Sequence, residues 1–190
     1  MTTRFDLSLP HSYGARLARL PPGNTGQRVH YYPGGDTKGG RDGVLIEVTP
    51  ISSEPWFGMF ADGYDSPPAC SGVFASPHPD RICVISKGLA IEVDTTSPKH
   101  WRELPAFPVT HVLPAPEIHA LLLCNFCSVI AWSADGPRWK TDLSLIDGYR
   151  IPMDGFSRVA LQGEVLRGVR SVPESFPEDF ALDIRTGRSL

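Results

Sequence analysis

The sequence lacks an excess of positive charge. Its formal net charge is -3 and its isoelectric point is near 6.0, and the basic residues are scattered along the chain without a long run, with Arg167 and Arg170 close together. A nucleic-acid-binding surface normally carries a basic stripe or patch. We therefore expect no nucleic acid among the partners of this protein.

The sequence also lacks a long apolar run. No stretch approaches the roughly 18 consecutive apolar residues of a membrane-spanning helix. Residues 1–17 lack the uninterrupted apolar segment of a secretory signal. In a chain without an export signal, the cysteines are expected to be free thiols, because the cytosol keeps thiols reduced. We expect a cytoplasmic protein that has no membrane partner.

Short catalytic motifs are missing as well. No Gly-x-Ser-x-Gly elbow occurs, and the glycine-rich residues 33–43 contain Thr37-Lys38-Gly39-Gly40, which lacks the residue order of a phosphate-binding loop. We therefore expect no cofactor and lean against an enzyme. A site assembled from distant loops would leave no such signature, so this expectation does not exclude catalysis.

Proline and glycine are abundant, with 19 and 18 copies in 190 residues. They divide the chain into short segments, which favours strands and turns over helices. The segments are organised around a duplication, in which residues 71–98 align with residues 110–137 at a shift of 39 and without a gap. The aligned apolar pairs include Val73 with Val112, Ile82 with Leu121, Val84 with Leu123 and Ile91 with Ile130. A period of about 40 residues with several strands per unit is typical of propeller-type sheet repeats.

Each copy of the duplication predicts four short strands. In the first copy they cover residues 72–75, 82–86, 89–94 and 101–104, and in the second copy residues 111–113, 120–125, 128–133 and 139–141. Ser86-Lys87-Gly88 predicts a hairpin, because glycine suits the left-handed position of a tight turn.

The whole chain predicts an all-β fold. We expect an antiparallel meander of about a dozen short strands in propeller-like units of about 39 residues. The chain holds fewer than five units of this length, so closure into a ring is not assumed and a β-sandwich is the alternative. We expect one domain over residues 1–190, divided into 1–43 with the glycine-rich loop 33–43, then 44–70, 71–109, 110–148 and a degenerate third repeat at 149–190.

The Cys124-x-x-Cys127 motif has a spacing that suits zinc binding or a redox disulfide. A zinc site would need two further ligands, for which Cys83, Cys70 and His119 are the candidates. The motif aligns with Ile85 and Gly88 of the first copy, which contains no ligand there. Because the first copy predicts the same hairpin without cysteines, we interpret these residues mainly as small buried side chains and keep metal binding as an alternative.

Two further sets of residues are candidates for a site. His78 and Asp80 share a loop, where a histidine beside a carboxylate could act as a general base. Trp101 and Trp139 each follow the last proline of a repeat, at Pro98 and Pro137. This recurrence predicts a shared packing role, with binding through exposed tryptophan as the alternative.

Several motifs resemble those of known proteins. Residues 76–79 and 83–88, then 139–148 and 183–187, resemble a group of small uncharacterised bacterial proteins, over about residues 70 to 190. These motifs are also similar to blades of pyrroloquinoline-quinone-type propellers, in which a strand, a tryptophan and an Asp-Gly turn recur. The chain has too few units for the ring of those enzymes and no matching cofactor ligands, so the resemblance transfers no functional residue.

These observations favour a non-enzymatic module that binds another protein. By analogy with small, acidic, motif-poor bacterial proteins, the specific form of this hypothesis is an immunity or inhibitor protein. The alternatives are a hydrolase with a loop-built site at His78 and Asp80, and a small zinc protein.

Overall fold

The structure is a computed structural model, and it describes residues 3–18, 29–34, 42–146 and 148–190. The first nine strands in chain order are β1 (Arg4–Asp6), β2 (Tyr13–Leu17), β3 (Val29–Tyr32), β4 (Gly43–Pro50), β5 (Trp56–Ala61), β6 (Gly72–Ala75), β7 (Arg81–Ser86), β8 (Leu89–Asp94) and β9 (Trp101–Glu103). They are followed by β10 (His111–Ala115), β11 (Ala120–Cys124), β12 (Ser128–Ser133), β13 (Gly136–Asp142), β14 (Leu145–Ile146), β15 (Tyr149–Arg150), β16 (Gly155–Gln162), β17 (Val165–Ser171) and β18 (Glu178–Asp183). A short 3-10 helix, Pro116–Ile118, precedes β11.

Four sheets stack face to face in the order in which they are completed along the chain. Sheet 1 has the strand order β2-β4-β5-β3, sheet 2 β1-β6-β7-β8-β9, sheet 3 β10-β11-β12-β13 and sheet 4 β16-β17-β18, while β14 and β15 form a separate hairpin. Nearly all neighbouring strands are antiparallel, and no sheet formed by the described residues closes into a barrel. The predicted all-β fold is therefore confirmed. No helix in the described ranges is long and apolar enough to cross a membrane.

Three apolar layers hold the stack together. Val48 and Trp56 of sheet 1 meet Ile82 and Ile91 of sheet 2 in the first layer. The second layer joins sheets 2 and 3, and the third joins sheets 3 and 4. Since side chains alternate across a strand, sheets 2 and 3 bury both faces, and β7, β8, β11 and β12 read as nearly continuous apolar runs.

Sheets 2 and 3 pair equivalent positions in the same register. Val84 lies opposite Ile91 in sheet 2, and the residues 39 positions later, Leu123 and Ile130, lie opposite each other in sheet 3. The Ile91 face of sheet 2 packs on sheet 1, and the Ile130 face of sheet 3 packs on sheet 2. Each of these two sheets thus presents the same face to the sheet that precedes it.

The predicted hairpin at Lys87-Gly88 is present between β7 and β8. Both residues have positive φ angles, 41° and 78°, as a type I′ turn requires. A Cβ on Gly88 would lie 2.7 Å from Cβ of Pro108, so glycine is needed for space as well as for conformation.

The N-terminal part differs from the prediction. Residues 1–26 show no clear period, but β1 pairs in parallel with β6, and β2 pairs with β4. A second parallel pair joins β3 to β5, so the sheets are not purely an antiparallel meander. Most of the predicted glycine-rich loop, 35–41 within 33–43, lies outside the described residues, as does Asp147 between β14 and β15.

Candidate functional site: a buried carboxylate beside a basic pocket

Glu92 is a charged residue in the centre of the stack. It lies on β8 between Ile91 and Val93, which face sheet 1, so strand alternation turns its side chain toward sheet 3. Only 2% of Glu92 is exposed. Oε1 accepts hydrogen bonds from the Ser76 hydroxyl and from Trp132 Nε1, the latter at 3.0 Å.

Two arginines neutralise this carboxylate. Arg102 on β9 donates from Nε to Oε2 at 2.6 Å, and its Nη2 lies 2.6 Å from the same oxygen without hydrogen-bond geometry. Arg81 Nη1 lies 3.7 Å from Oε2 and donates to the carbonyl of Ala134 at 3.0 Å. The guanidinium carbon of Arg102 stands 4.6 Å from the ring centroid of Trp132, a cation–π contact. A charge that would be costly to bury alone is thus paired and hydrogen-bonded.

A pocket of about 430 Å³ opens beside this cluster, lined by Arg81, Glu92, Asp94 and residues 99–102. Asp94 shapes the loop, because its Oδ1 accepts hydrogen bonds from the backbone N–H groups of Thr96 and Ser97, both at 2.9 Å. The volume of the pocket lies in the range of small-molecule sites. The Glu92 carboxylate and Asp94 Oδ1 accept hydrogen bonds from the protein's own donors. The lining has three cationic side chains, Arg81, Lys99 and Arg102, against these two carboxylates, which favours an anionic ligand.

The aligned positions of sheet 3 carry no charge. Arg81, Glu92 and Arg102 correspond to Ala120, Ala131 and Thr141 at the shift of 39. The β11–β12 pair of sheet 3 has the register of β7–β8 without Arg81 or Glu92, whereas Thr141 lies opposite Val129 and not Ala131. The β7–β8 pairing therefore does not require the charges of Arg81 and Glu92. Glu92 was detectable as the charged residue between buried Ile91 and Val93. Sequence reasoning missed it because one charge in a short strand also fits an exposed face.

The predicted pair His78 and Asp80 lies in the loop between β6 and β7. The Asp80 carboxylate accepts a hydrogen bond from the Ser12 hydroxyl, while the Asp80 backbone N–H donates to His78 Nδ1 at 3.2 Å. The two side chains therefore share a loop, but the recorded partner of the Asp80 carboxylate is a serine.

The two predicted tryptophans face opposite sides of the stack. Trp101 packs toward sheet 1, with its ring 5.9 Å from that of Tyr32, and it also lines the pocket. Trp139 packs toward sheet 4 and donates from Nε1 to the carbonyl of Ile184 at 2.8 Å. Both tryptophans thus pack against an apolar layer, but against different layers, because a register shift at Ala131/Trp132 pairs Trp139 with Ala131 and turns it to the other face.

The cysteines are free thiols in separate environments. Cys83 faces the layer between sheets 2 and 3, whereas Cys124 faces sheet 4. Burial raises the pKa of Cys124 to about 12 and that of Cys70 to about 11, and it raises the pKa of Cys83 well above its ordinary value. Zinc binds the thiolate form, which burial opposes here. Within the described ranges, no three His, Cys, Asp or Glu residues are grouped for a metal.

The Cys124-x-x-Cys127 hairpin is held by an asparagine. Asn125 Oδ1 accepts hydrogen bonds from the N–H groups of Cys127 at 3.0 Å and Ser128 at 2.7 Å. Such Asx hydrogen bonds fix a tight turn locally. The hairpin therefore has a structural basis that involves neither sulfur.

Aromatic residues gather at the end of the stack where the β7–β8 and β11–β12 turns lie, and of these Tyr64 and Phe107 are exposed while Phe126 is half-buried. The rings of Tyr64 and Phe126 meet edge to face at 6.0 Å, and the backbone N–H of Tyr64 donates to the carbonyl of Lys87 at 2.6 Å. Phe107 is 54% exposed, and the next residue, Pro108, abuts the turn at Gly88. We call Tyr64, Phe107 and Phe126 the turn-end surface.

The geometry defines an all-β chain of stacked sheets with a basic pocket at one side and an aromatic surface at one end. No protein-family model matches the chain, and no curated protein matches it at a significant level.

Proposed function

We propose that the chain is a non-enzymatic binding module that presents the turn-end surface to a protein partner. The observation that carries this proposal is the solvent exposure of aromatic side chains on a rigid sheet end, with Tyr64 at 38% and Phe107 at 54%. Aromatic residues supply a large share of binding energy at protein interfaces because they bury much area for little conformational entropy.

The loop that carries Tyr64 is fixed before any partner arrives. Lys87 Nζ lies 2.8 Å from the Asp62 carboxylate and 2.7 Å from that of Asp65. Hydrogen bonds to Asp62 and Asp65 raise the pKa of Lys87, so this side chain stays charged in neutral solution. A preorganised loop loses less entropy on binding.

The specific form of the proposal is an immunity or inhibitor protein of the cytoplasm, within a group of small bacterial proteins built from propeller-blade-like units. The four free cysteines support a reducing compartment. The acidic net charge of -3 supports a protein rather than a nucleic acid or an anionic membrane as the partner.

The test is affinity capture from an extract of the source cells, with the captured protein identified, purified and titrated. The double variant Tyr64→Ser/Phe107→Ser is expected to weaken binding by about tenfold or more. The matched control is Ile51→Ser, since Ile51 is 83% exposed and lies in the β4–β5 turn at the opposite end of the stack. Failure to capture any specific protein, or equal affinity for all three proteins, contradicts the proposal.

A hydrolase is the second candidate, favoured by the hydrogen bond from the Ser12 hydroxyl to Asp80 beside His78. A carboxylate that accepts a serine proton could activate this hydroxyl as a nucleophile. Any activity found in a broad screen of ester and amide substrates should be lost in Ser12→Ala and in His78→Ala. An activity that survives both substitutions excludes this assignment.

A further inference from the structure

We propose that the pocket formed by Arg81, Lys99, His100 and Arg102 binds a small phosphate monoester. This inference goes beyond the proposed protein binding, because the pocket and the turn-end surface share no residue. Either one can therefore fail without the other.

The lining offers unused donors to a ligand. Glu92 Oε2 takes the Nε donor of Arg102, and in the described part of the chain Nη1 of Arg102 has no recorded acceptor. Arg81 donates from Nη1 to the carbonyl of Ala134, and the same nitrogen lies 3.7 Å from Glu92 Oε2. Lys99 and His100 are exposed at the pocket and make no side-chain hydrogen bond or ion pair with any described residue.

The number of free donors favours a phosphate monoester over a carboxylate as the ligand. Four separate side chains with free donors line one pocket, whereas a carboxylate has two oxygens and a single charge. A phosphate monoester has three terminal oxygens and a charge near -2 at neutral pH. The pocket of about 430 Å³ exceeds the size of a bare ion and leaves room for the organic part of a small ester.

The arginines are also held in place for this task. The Arg102 guanidinium is clamped between the buried Glu92 carboxylate and the Trp132 ring, and Arg81 is tied to the β12–β13 turn through Ala134. A guanidinium fixed by other contacts loses little entropy when it binds an oxyanion. Glu92 therefore acts as a positioning residue that orients the anion-binding arginines.

Calorimetric titration at pH 7.5 with phenyl phosphate and with benzoate tests the assignment. Phenyl phosphate is expected to bind saturably and about tenfold or more tightly than benzoate, because more charge-assisted hydrogen bonds form. The double variant Lys99→Ala/His100→Ala should bind phenyl phosphate about tenfold more weakly. It should leave the fold intact, since both side chains are exposed. The matched control, Lys140→Ala, replaces an exposed lysine outside the pocket and should bind as the parent does.

Three results overturn the proposal. Absence of saturable binding removes the site, and equal affinity for benzoate replaces the phosphate assignment with a carboxylate site. Unchanged binding by Lys99→Ala/His100→Ala places the phosphate elsewhere on the surface. Loss of partner capture by the turn-end variants has no bearing on these titrations, so the two proposals are tested separately.

Discussion

Replacing Arg102 by methionine should destabilise the protein by about 3 kcal/mol. The variant keeps the length of the side chain but leaves the Glu92 carboxylate, with 1% of its side chain exposed, without its closest cation. A hydrogen bond to a charged group contributes about 1.5–3 kcal/mol and the contact with Trp132 about 0.5–1 kcal/mol. Arg81, at 3.7 Å, keeps the loss below the upper range of about 5 kcal/mol for a broken buried pair.

The reverse substitution, Glu92→Ala, installs the residue that sheet 3 has at the aligned position. It leaves the Trp132 Nε1 donor and the Ser76 hydroxyl without their acceptor, at a cost of about 1 kcal/mol each. The guanidiniums can turn to water, because the Arg81 and Arg102 side chains are 30% and 39% exposed. We expect Glu92→Ala to lower the free energy of unfolding by about 2–3 kcal/mol. The double variant Glu92→Ala/Arg102→Met should lose about 3 kcal/mol, which is less than the sum of the two single losses, because the two residues interact.

Urea unfolding at pH 7, followed by far-ultraviolet circular dichroism, measures these free energies of unfolding. The control is Arg16→Met, which removes a pair with Glu47 in which the arginine side chain is 76% exposed, and it should change stability by less than about 0.5 kcal/mol. Two results refute the reasoning: additivity of the two substitutions within about 0.5 kcal/mol, or an Arg102→Met cost no larger than that of Arg16→Met.

Three further predictions concern other parts of the chain. Gly88→Ala should cost about 2 kcal/mol or more by urea unfolding, because strain at φ 78° adds to a contact at 2.7 Å, whereas Gly163→Ala, at φ 59° with nothing within 4 Å, should cost about 1 kcal/mol. Burial lowers the pKa of His111 from 6.5, so protonation favours the unfolded chain and stability should fall as the pH drops below 6.5; His111→Gln should reduce the fall in melting temperature between pH 7.5 and pH 5.5. Ellman's reagent at pH 8 should react with the partly exposed Cys127 before the buried Cys83, and equal rates for the two would contradict the burial argument.

Local sequence patterns predicted the strands and their register best in sheets 2 and 3. The apolar runs at β7, β8, β11 and β12 are long enough to identify, and a two-residue turn fixes the register of β7 and β8. The shift of 39 then places Leu123 opposite Ile130 once Val84 lies opposite Ile91.

Strand pairs between distant parts of the chain could not be predicted in this way. β1 has three residues, and it belongs to sheet 2 only because Phe5 lies beside Val73, far along the chain. No short-range period encodes such a pair. The orientation of Trp139 depends on one register shift at Ala131/Trp132, which moves its side chain to the other face of sheet 3.

The candidate site was hidden because its residues look ordinary one at a time. Arg81 is the first residue of β7, Glu92 is a single charge in β8 and Arg102 lies in the three-residue strand β9, and single charges at such positions are common on protein surfaces. Their convergence depends on sheet 3 covering that face of sheet 2 and on Trp132 offering a donor to Glu92. The stacking of the sheets thus brings two partly exposed arginines to one buried carboxylate.

The duplication supplies a comparison within one chain between what the fold needs and what it adds. Cys124 and Cys127 align with Ile85 and Gly88, and the hairpin forms in both sheets, through Asn125 in one and through positive φ angles in the other. The motif that looked most like chemistry thus has a complete structural explanation. The charges of β7 and β8 differ from this motif, because β11 and β12 have the same pairing with Ala120 and Ala131 at the positions aligned with Arg81 and Glu92. A costly feature that the shared architecture does not require is the better guide to function, and it leads to the basic pocket rather than to the cysteines.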